Sequence, residues 1–303
     1  MDKGYAIERY KSAVSLLPLR WQRLALQLSE EKQEIAEEIR LRAGQPLTVL
    51  LPCGEICPAP ESDTIIMPHD LEQLCDTVTG YSRYAVTESM SRGYITAKGG
   101  FRLGVCGTAV VKQGSNTNMR DISSVTIRIA REMPGVSHSI MPQLLQDEDF
   151  HSTLIAAPPG AGKTTLLRDL IRCLSDGCAQ CPPQRVAVVD ERSEIAMMYQ
   201  GLPQVSIGTH TDVLDACPKA IGIPLLIRSV NPQIIAVDEI TESADIRTMI
   251  AAANCGVKFL ATIHALDRQE LQHKPLYTEL MDANVFSTLI TIGKGRQYQV
   301  ETL

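Results

Sequence analysis

The chain has 303 residues, of which 44% are hydrophobic and 21% are charged, and its formal net charge is −6. This length favours two domains of ordinary size, and the hydrophobic share is large enough for buried cores, which excludes a disordered chain. A net negative charge also argues against a protein whose whole surface binds nucleic acid.

The first part of the chain mixes helical and extended patterns. Apolar residues recur at mostly helical spacing over residues 21–39, which predicts a helix with one solvated face. A strand is expected over residues 47–51, and residues 94–111 fit a hairpin around a glycine-containing turn at 98–100. Residues 124–129 alternate between apolar and polar, as in a half-buried strand. We therefore predict an α+β domain with a mixed or antiparallel sheet.

The pattern changes after residue 145. Short, continuously apolar segments now alternate with helical stretches; these segments are residues 153–157, 186–189, 234–237 and 259–262. Such strands are typical of a parallel sheet that helices cover on both faces. We therefore predict a smaller α+β domain over residues 1–145 and an α/β domain over residues 146–303.

Residues 157–164 (APPGAGKT) form a glycine-rich turn between a predicted strand and a predicted helix. In that context the pattern is a P-loop, whose backbone N–H groups point at phosphate oxygens beside a helix N-terminus. We expect Lys163 to reach the β- and γ-phosphates and Thr164 to bind Mg²⁺. The sequence therefore predicts an enzyme that binds ATP and Mg²⁺ and hydrolyses ATP.

Two of the predicted strands end in acidic pairs, at residues 190–191 and 238–239. A carboxylate at the C-terminal end of a parallel strand lies beside the phosphate loop, where one acid can hold Mg²⁺ and the next can orient the attacking water. The residues alone leave open which pair does this. Thr262 and His264 lie on one side of a further strand end and are candidates for sensing the γ-phosphate.

The order of these motifs resembles the secretion ATPases of type II and type IV systems. In this chain the order is GKT at 162–164, DERSE at 190–194, DE at 238–239 and TxH at 262–264. Several runs are similar, more narrowly, to the sporulation branch of that family in endospore formers; these runs are residues 38–46, 101–105, 128–132, 189–194 and 211–220. The resemblance covers nearly the whole chain.

This resemblance implies a RecA-like ATPase domain after a smaller N-terminal domain, and a homohexameric ring. It implies that ATP hydrolysis powers the assembly or operation of a secretion-like channel between mother cell and forespore. The partners would be membrane proteins of that channel, which would hold an otherwise cytoplasmic chain at the membrane periphery. A chain without a run of 18 apolar residues or an apolar signal core agrees with that expectation.

The resemblance also assigns roles to the acidic motifs. It implies that Glu239 is the catalytic base and that Asp238 is an indirect Mg²⁺ partner. The further catalytic candidates are Glu191, Glu194 and His264. The predicted nucleotide-binding residues are Pro159, Gly160, Ala161, Gly162, Lys163, Thr164, Thr165 and Asp238, of which Thr164 and Asp238 are the metal candidates.

A basic segment stands out in this acidic chain, because residues 80–135 hold eight Lys or Arg but three Asp or Glu. We hypothesise that an arginine of this segment completes the ATP site of an adjacent subunit. The candidates are Arg102, Arg120, Arg128 and Arg131. A solvated sheet face is the simpler interpretation of the same charges.

Two other functions compete with a secretion motor. In a nucleic-acid-dependent RecA-like ATPase the basic segment would bind the nucleic acid, but four Phe and one Trp offer few stacking platforms, so we do not expect this partner. A scaffold that binds nucleotide without hydrolysing it is disfavoured by the intact Lys163, Thr164 and acidic pair at 238–239.

The nine cysteines are expected to be mostly free thiols in a reducing compartment. The alternative is a zinc site, whose candidate ligands are Cys53, Cys57, Cys178 and Cys181. Since only the second pair has the usual ligand spacing, free thiols are the better interpretation.

Overall fold

The structure is a computed structural model that describes residues 3–60, 64–81, 90–91, 93–112, 114–146, 149–179 and 181–303. The chain forms two units, Met1–Arg131 with Tyr199–Gln204, and Glu132–Met198 with Val205–Leu303. The sequence pattern placed a domain boundary near residue 145, after the prolines of the connecting segment. In the structure Ile140, Met141 and Leu144 of that segment pack into a core cluster of the second unit.

A six-stranded antiparallel sheet organises the first unit, in the order β3-β2-β1-β6-β5-β4. Its strands are β1 (Glu38–Arg42), β2 (Thr48–Leu51), β3 (Gly54–Ile56), β4 (Tyr94–Ala97), β5 (Phe101–Lys112) and β6 (Ser115–Arg128). The helices of this unit in the described ranges are Lys3–Val14, Leu19–Ala25, Glu30–Ile35 and Pro68–Val78. The predicted antiparallel sheet and the predicted hairpin, now β4 and β5, are confirmed.

Burial alternates along the strands of this sheet, because successive side chains of a strand point to opposite faces. In β1, Ile39 and Leu41 are fully buried, whereas Arg40 lies on the other face and contacts Glu38. The buried face packs against the helices, which contribute Tyr10 and Trp21 to the same core. The first unit is therefore two layers, with a polar outer sheet face.

The prediction of a single helix over residues 21–39 is wrong. Two short helices, Leu19–Ala25 and Glu30–Ile35, replace it, and Ser29 between them has an extended backbone. Ile39 lies in a strand, where it pairs with Ile127 of β6. Pairing with a distant strand thus overrides the local helical spacing. Such spacing determines secondary structure only weakly when tertiary contacts favour another conformation.

β5 and β6 extend well beyond their other neighbours in the sheet. β4 pairs with residues 101–104 of β5, and β1 pairs with residues 124–128 of β6. Within the described ranges, residues 108–112 and 115–120 have only each other as strand partners. They form a two-stranded arm: its side chains are mostly exposed on β5, whereas residues 116–119 of β6 are half-buried and Arg120 is exposed.

A seven-stranded sheet organises the second unit, in the order β11-β10-β12-β13-β9-β14-β15. Its strands are β9 (Thr153–Ala156), β10 (Val186–Asp190), β11 (Thr211–Asp215), β12 (Ile234–Val237), β13 (Lys258–Ile263), β14 (Thr288–Ile292) and β15 (Tyr298–Thr302). All neighbouring pairs are parallel except β14 with β15. The predicted mainly parallel sheet is confirmed. A separate hairpin consists of β7 (Leu145–Gln146) and β8 (Asp149–Phe150).

Helices cover both faces of this sheet. Those in the described ranges are Lys163–Asp176, Lys219–Val230, Ser243–Ala253, Arg268–His273 and Pro275–Asp282, with 3₁₀ turns at Met141–Leu144 and Lys294–Arg296. Along β9, Ile155 belongs to the core beneath Lys163–Asp176, whereas Leu154 belongs to the core beneath Lys219–Val230 and Ser243–Ala253. Because β12, β13 and β9 are adjacent and parallel, the segments that follow them meet at one edge.

Among the described residues, no helix combines the length and the apolar character that a membrane span requires. The nine cysteines are free thiols. The described ranges also contain no group of three or more His, Cys, Asp or Glu side chains arranged to hold a metal ion.

Candidate functional site

A cleft of about 350 Å³ opens at the edge where the parallel strands end. Its lining residues are Pro159, Gly160, Gly162, Lys163, Thr164, Thr165, Arg192, Glu194, Asp238, Glu239, Thr262 and His264. The volume lies in the range of small-ligand sites. The cleft brings together residues from all four motifs that the sequence singled out.

The phosphate loop forms one wall of the cleft, between the end of β9 and the helix that begins at Lys163. Gly160 and Gly162 have φ of 75° and 101°, in the left-handed region that a side chain disfavours. Gly162 is also the N-cap residue of the helix. The loop therefore turns its backbone toward a helix N-terminus, where N–H groups and the helix dipole favour phosphate oxygens.

Lys163 is only 7% exposed and its ammonium is satisfied within the loop. Nζ donates to the carbonyl oxygens of Ala157 at 2.8 Å and Pro158 at 3.1 Å, and lies 2.8 Å from Nδ1 of His264. Burial lowers the pKa of Lys163 to about 8. A phosphate that enters the cleft would replace these partners with a stronger one of opposite charge.

His264 connects Lys163 to Glu239. An ammonium group can only donate, so Nδ1 of His264 accepts from Lys163, and the ring proton is left on Nε2, which contacts Oε1 of Glu239. Burial, followed by the charge of Lys163, lowers the pKa of His264, which keeps the ring neutral. The three side chains form a continuous polar chain across the cleft.

Asp238 is 6% exposed at the end of β12. Burial raises its pKa to about 6, although Lys219 opposes this shift from a distance of 3.2 Å. Lys219 is itself 3% exposed and also contacts Glu191. Sequence reasoning assigned Lys219 no role; the available signal was a lysine that opens the apolar helix Lys219–Val230 directly after Pro218.

The acidic pair at 190–191 has a different environment. The buried carboxylate of Asp190 accepts hydrogen bonds from the backbone N–H groups of Glu194, Ile195 and Ala196 at 2.8–3.0 Å. It therefore fixes the conformation of the loop that follows the strand. Glu191 pairs with Lys219 and is not among the residues that line the cleft, whereas Glu194 is. The two acidic strand ends are therefore not equivalent.

Arg192 is a second residue that sequence reasoning missed, and it lines the cleft. Its Nη1 lies 3.3 Å from Oε2 of Glu239. The signal was its place inside the DERSE run, between acids that were already candidates. Thr262, which was expected beside His264, lines the same cleft.

The four candidate arginines all lie in the first unit, where two of them belong to the polar face of the sheet. The guanidinium of Arg102 stacks 3.8 Å from the ring centroid of Tyr94. Arg128 lies opposite Arg102 across β5 and β6, and its Nε is 3.4 Å from Glu38. These contacts hold both arginines on the sheet.

The other two arginines differ sharply in burial. Arg131 is half-buried and donates to the carbonyl oxygen of Ala36 at 2.7 Å, and burial lowers the pKa of its guanidinium. Arg120 lies on the two-stranded arm with 71% of its side chain exposed, and Nε is 3.8 Å from the adjacent Asp121. Of the two, Arg120 is the one that solvent and partners can reach.

The donor set at the cleft suits Mg²⁺. This ion prefers oxygen ligands and is usually held by one or two carboxylates together with substrate phosphates and waters. Thr164 supplies a hydroxyl and Asp238 a carboxylate in the same cleft, beside the loop that faces phosphates. These two residues would hold the ion.

Comparisons with known proteins identify the family of this chain. A family model described as "Sporulation stage III, protein AA" matches residues 7–300. Stage III sporulation protein AA of Bacillus subtilis (strain 168) is 34% identical over 281 residues, which are 93% of this chain and 90% of that protein.

Two solved structures share the fold. The Legionella pneumophila ATPase DotB has a TM-score of 0.59 at 17% identity, over 94% of this chain and 79% of its own. The pilus retraction motor PilT with bound ADP has a TM-score of 0.57 at 19% identity, over 90% of this chain and 81% of its own. The chain thus has the RecA-like fold of secretion ATPases, and it belongs to the family of sporulation stage III protein AA.

Proposed function

We propose that this chain is a Mg²⁺-dependent ATPase that works as a motor. The observation that carries the proposal is the single cleft in which the phosphate loop, Asp238, Glu239 and His264 meet. A scaffold that only binds nucleotide has no need of a buried carboxylate next to a second acid. That pair is what water activation beside a metal requires.

In the proposed reaction each cleft residue has a separate task. Lys163 leaves the carbonyl oxygens of its own loop and neutralises the β- and γ-phosphates. Thr164 and Asp238 would hold Mg²⁺, which would supply charge neutralisation at those phosphates.

Glu239 accepts a proton from the attacking water and orients it for in-line attack. His264 holds Glu239 through Nε2 and faces Lys163 through Nδ1. Movement of Lys163 toward a γ-phosphate therefore changes the environment of the glutamate. Glu194 and Arg192 also line the cleft. Glu191 does not line it and acts indirectly, because it pairs with Lys219, which in turn contacts Asp238.

We further propose that copies of this chain form a homohexameric ring at the periphery of a membrane. There, ATP hydrolysis would power the assembly or operation of a secretion-like channel during endospore formation, with membrane proteins as partners. The family membership and the shared fold of a pilus retraction motor support this proposal. Arg120 is the strongest candidate for a contact with a neighbouring subunit's nucleotide, because it extends from an exposed arm.

Phosphate release and nucleotide affinity, measured on purified protein, test the ATPase. We expect the wild-type chain to release phosphate from ATP in Mg²⁺ and Lys163→Ala to lose both nucleotide binding and turnover, since the proposed contact of its ammonium with the β- and γ-phosphates is removed. Lys32→Ala is the matched control, because Lys32 is exposed on a helix of the first unit. Wild-type turnover in Lys163→Ala would remove the phosphate-loop assignment.

A further inference from the structure

A second concavity lies in the second unit, on the sheet face opposite to the helix Lys163–Asp176. It is a groove of about 500 Å³ between the helices Lys219–Val230 and Ser243–Ala253. Its floor includes the buried Ile223 and Ala252. The mechanism proposed above uses none of the side chains that line it.

The surface around this groove is apolar beyond its walls. Ile221 and Leu225 lie one turn apart on the first helix and are 57% and 48% exposed. Large aliphatic side chains in such adjacent, exposed positions mark interaction sites more often than isolated ones do. Pro224 and Ala251 also line the groove, so apolar side chains contribute to its walls as well as to its floor.

The charge at this groove is of one sign. Arg228 and Arg247 line it, one from each helix, and both are exposed. In the part of the chain that the structure describes, neither arginine has an ion-pair partner. The acid of these two helices, Asp245, is buried. A groove whose described lining has no acid and two arginines without ion-pair partners is unusual on a chain of net charge −6.

We propose that this groove docks an acidic amphipathic helix of a partner protein. Apolar side chains spaced i, i+3, i+4 and i+7 would fill the groove, and Asp or Glu on the flanks would pair with Arg228 and Arg247. Helix-in-groove recognition of this kind uses two walls and an apolar floor, which the two helices provide.

Two other occupants fit the same features less well. A nucleic acid would match the arginines, but none of the described residues that line the groove is aromatic and could stack on a base, and the floor is aliphatic. A second copy of this chain that met the groove about a twofold axis would bring the arginines of one copy against those of the other, which is repulsive. A head-to-tail contact between copies, as in a ring, would place a different surface in the groove, and the self-association measurement below tests it. An acidic helix satisfies both the apolar and the charged features.

Fluorescence anisotropy on the full chain, with synthetic peptides as probes, tests the proposal. The first peptide is an amphipathic helix of about five turns with leucines on one face and glutamates on both flanks; the second replaces each glutamate by lysine. We expect the glutamate peptide to bind at least about tenfold more tightly than the lysine peptide at low salt, and this preference to shrink as salt rises.

Charge reversal gives the sharper arm. The double variant Arg228→Glu with Arg247→Glu is expected to lose binding of the glutamate peptide and to gain binding of the lysine peptide. The matched control is Arg23→Glu, which reverses an exposed arginine of the first unit. Because both arginines are exposed, these substitutions are not expected to unfold the chain.

Filling the groove tests the apolar part separately. Ala251 lines the groove and is exposed, so Ala251→Trp should block the glutamate peptide without disturbing the core. Asn254→Trp is the control, since Asn254 is exposed at the end of the same helix and does not line the groove.

Three results would overturn the proposal. The first is equal binding of the two peptides, or binding that the charge reversal and Ala251→Trp both leave unchanged. The second is a single-stranded oligonucleotide that binds more tightly than the glutamate peptide and is lost in the double variant. The third is altered self-association of the double variant in sedimentation velocity, without peptide binding by the wild-type chain.

These readouts do not depend on the proposed ATPase. A chain that fails to release phosphate and still binds the glutamate peptide through Arg228 and Arg247 would leave the docking groove intact. Conversely, an active ATPase that ignores the peptides would remove the groove alone. The two proposals therefore fail separately.

Discussion

His264 lies between two side chains of opposite charge, and its tautomer follows from them. Lys163 can only donate to Nδ1, so the remaining ring proton faces Glu239. Arg192 contacts the other oxygen of the same carboxylate. With two partners fixed in this way, Glu239 is the better oriented of the candidate bases, since Glu191 is bound to Lys219 outside the cleft lining.

This orientation predicts different outcomes for two matched substitutions. Glu239→Gln should bind ATP normally and hydrolyse it about 10²- to 10⁴-fold more slowly, because an amide cannot take the proton of the attacking water. Glu191→Gln should reduce turnover less, since it acts through Lys219 and Asp238. Single-turnover phosphate release, with nucleotide affinity measured in parallel, separates binding from chemistry. Loss of turnover in Glu191→Gln alone would reverse the assignment.

Asp169 is a buried acid on the helix Lys163–Asp176, and it binds the segment that enters the second unit. Its carboxylate accepts from the backbone N–H groups of Gly135 and Ser137 at 3.0 and 2.8 Å, and from Arg172 at 2.7 Å. Burial alone would raise the pKa of Asp169, but these hydrogen bonds outweigh it and lower the pKa below its usual value. The charged form is therefore favoured in the folded state.

The lowered pKa predicts a pH-dependent contribution to stability. A carboxylate with a depressed pKa stabilises the fold above its unfolded pKa of about 3.9 and loses that effect as pH falls toward the folded value. Asp169→Asn should thus cost about 2 kcal/mol in unfolding free energy at neutral pH, and the difference from wild type should narrow below about pH 4. Urea denaturation at several pH values measures it.

Asp282→Asn provides the comparison, because Asp282 is exposed at the end of the helix Pro275–Asp282. Its effect should be small at every pH tested. A gap between Asp169→Asn and wild type that stays constant down to the acid-unfolding limit would contradict the proposed charge state.

At the scale of elements, the helix Lys219–Val230 packs unusually closely on the sheet. A Cβ added at Gly222 would lie 2.7 Å from Cγ1 of the buried Val189 in β10. The glycine therefore permits an approach that alanine does not. This approach also fixes where Lys219, one turn earlier, meets Asp238.

We expect Gly222→Ala to destabilise the chain despite the better helix propensity of alanine. The propensity gain is about 1 kcal/mol, whereas overpacking against a β-branched side chain in a core costs about 1–3 kcal/mol. The net loss should appear in urea denaturation as a lower midpoint with an unchanged slope. Ser229→Ala on the exposed side of the same helix is the control and should be close to neutral. A stabilised Gly222→Ala would mean that the helix moves freely away from β10.

Local patterns sufficed for the elements that build the nucleotide cleft. A continuous apolar run marks each of three strands in the sequence: the one before the phosphate loop, the one that ends at 238–239 and the one before His264. Their parallel order brings the following polar residues to one edge, so most of the cleft lining could be predicted from sequence, although Arg192 was missed and Glu191 lies outside it. These signals are local because both strand faces are buried.

The remaining elements depend on contacts between distant residues. β11 is an edge strand with half-buried side chains, and β15 joins the sheet in the opposite direction, so neither carries a continuous apolar run. Ile39 has helical spacing but belongs to a strand because it pairs with Ile127. The ion pairs of Lys219 likewise depend on the tertiary fold. No single-sequence pattern encodes such pairings.

At the scale of the whole molecule, the basic arginines have unequal chances of reaching another subunit. Arg131 donates a hydrogen bond to the carbonyl oxygen of the buried Ala36, so we expect its removal to lower the stability of the fold. Arg120 lies on the exposed arm, and the ion pair described for its side chain is a 3.8 Å contact with the adjacent Asp121, so its removal should cost less stability. An arginine that contacts a neighbour's phosphates would make hydrolysis depend on assembly.

Mixed assemblies test this shared site. Arg120→Ala and Lys163→Ala should each be inactive alone, but a one-to-one mixture should recover about a quarter of the sites, where an intact phosphate loop meets an intact Arg120. Arg102→Ala and Arg128→Ala, mixed in the same way, show whether the sheet face contributes. If each arginine variant hydrolyses ATP normally, with normal dependence on protein concentration, none of them completes a neighbour's site.

The helix Lys219–Val230 begins at a residue that contacts Asp238 of the nucleotide cleft, and its next two turns form a wall of the apolar groove. If ligands at its two ends are coupled through this helix, their binding free energies are linked by thermodynamic reciprocity. If an occupant of the groove tightens nucleotide binding by some factor, the nucleotide must tighten the occupant by the same factor. In that case ATP binding would raise the affinity for the partner, and hydrolysis would lower it, so attachment of the partner would follow the nucleotide cycle.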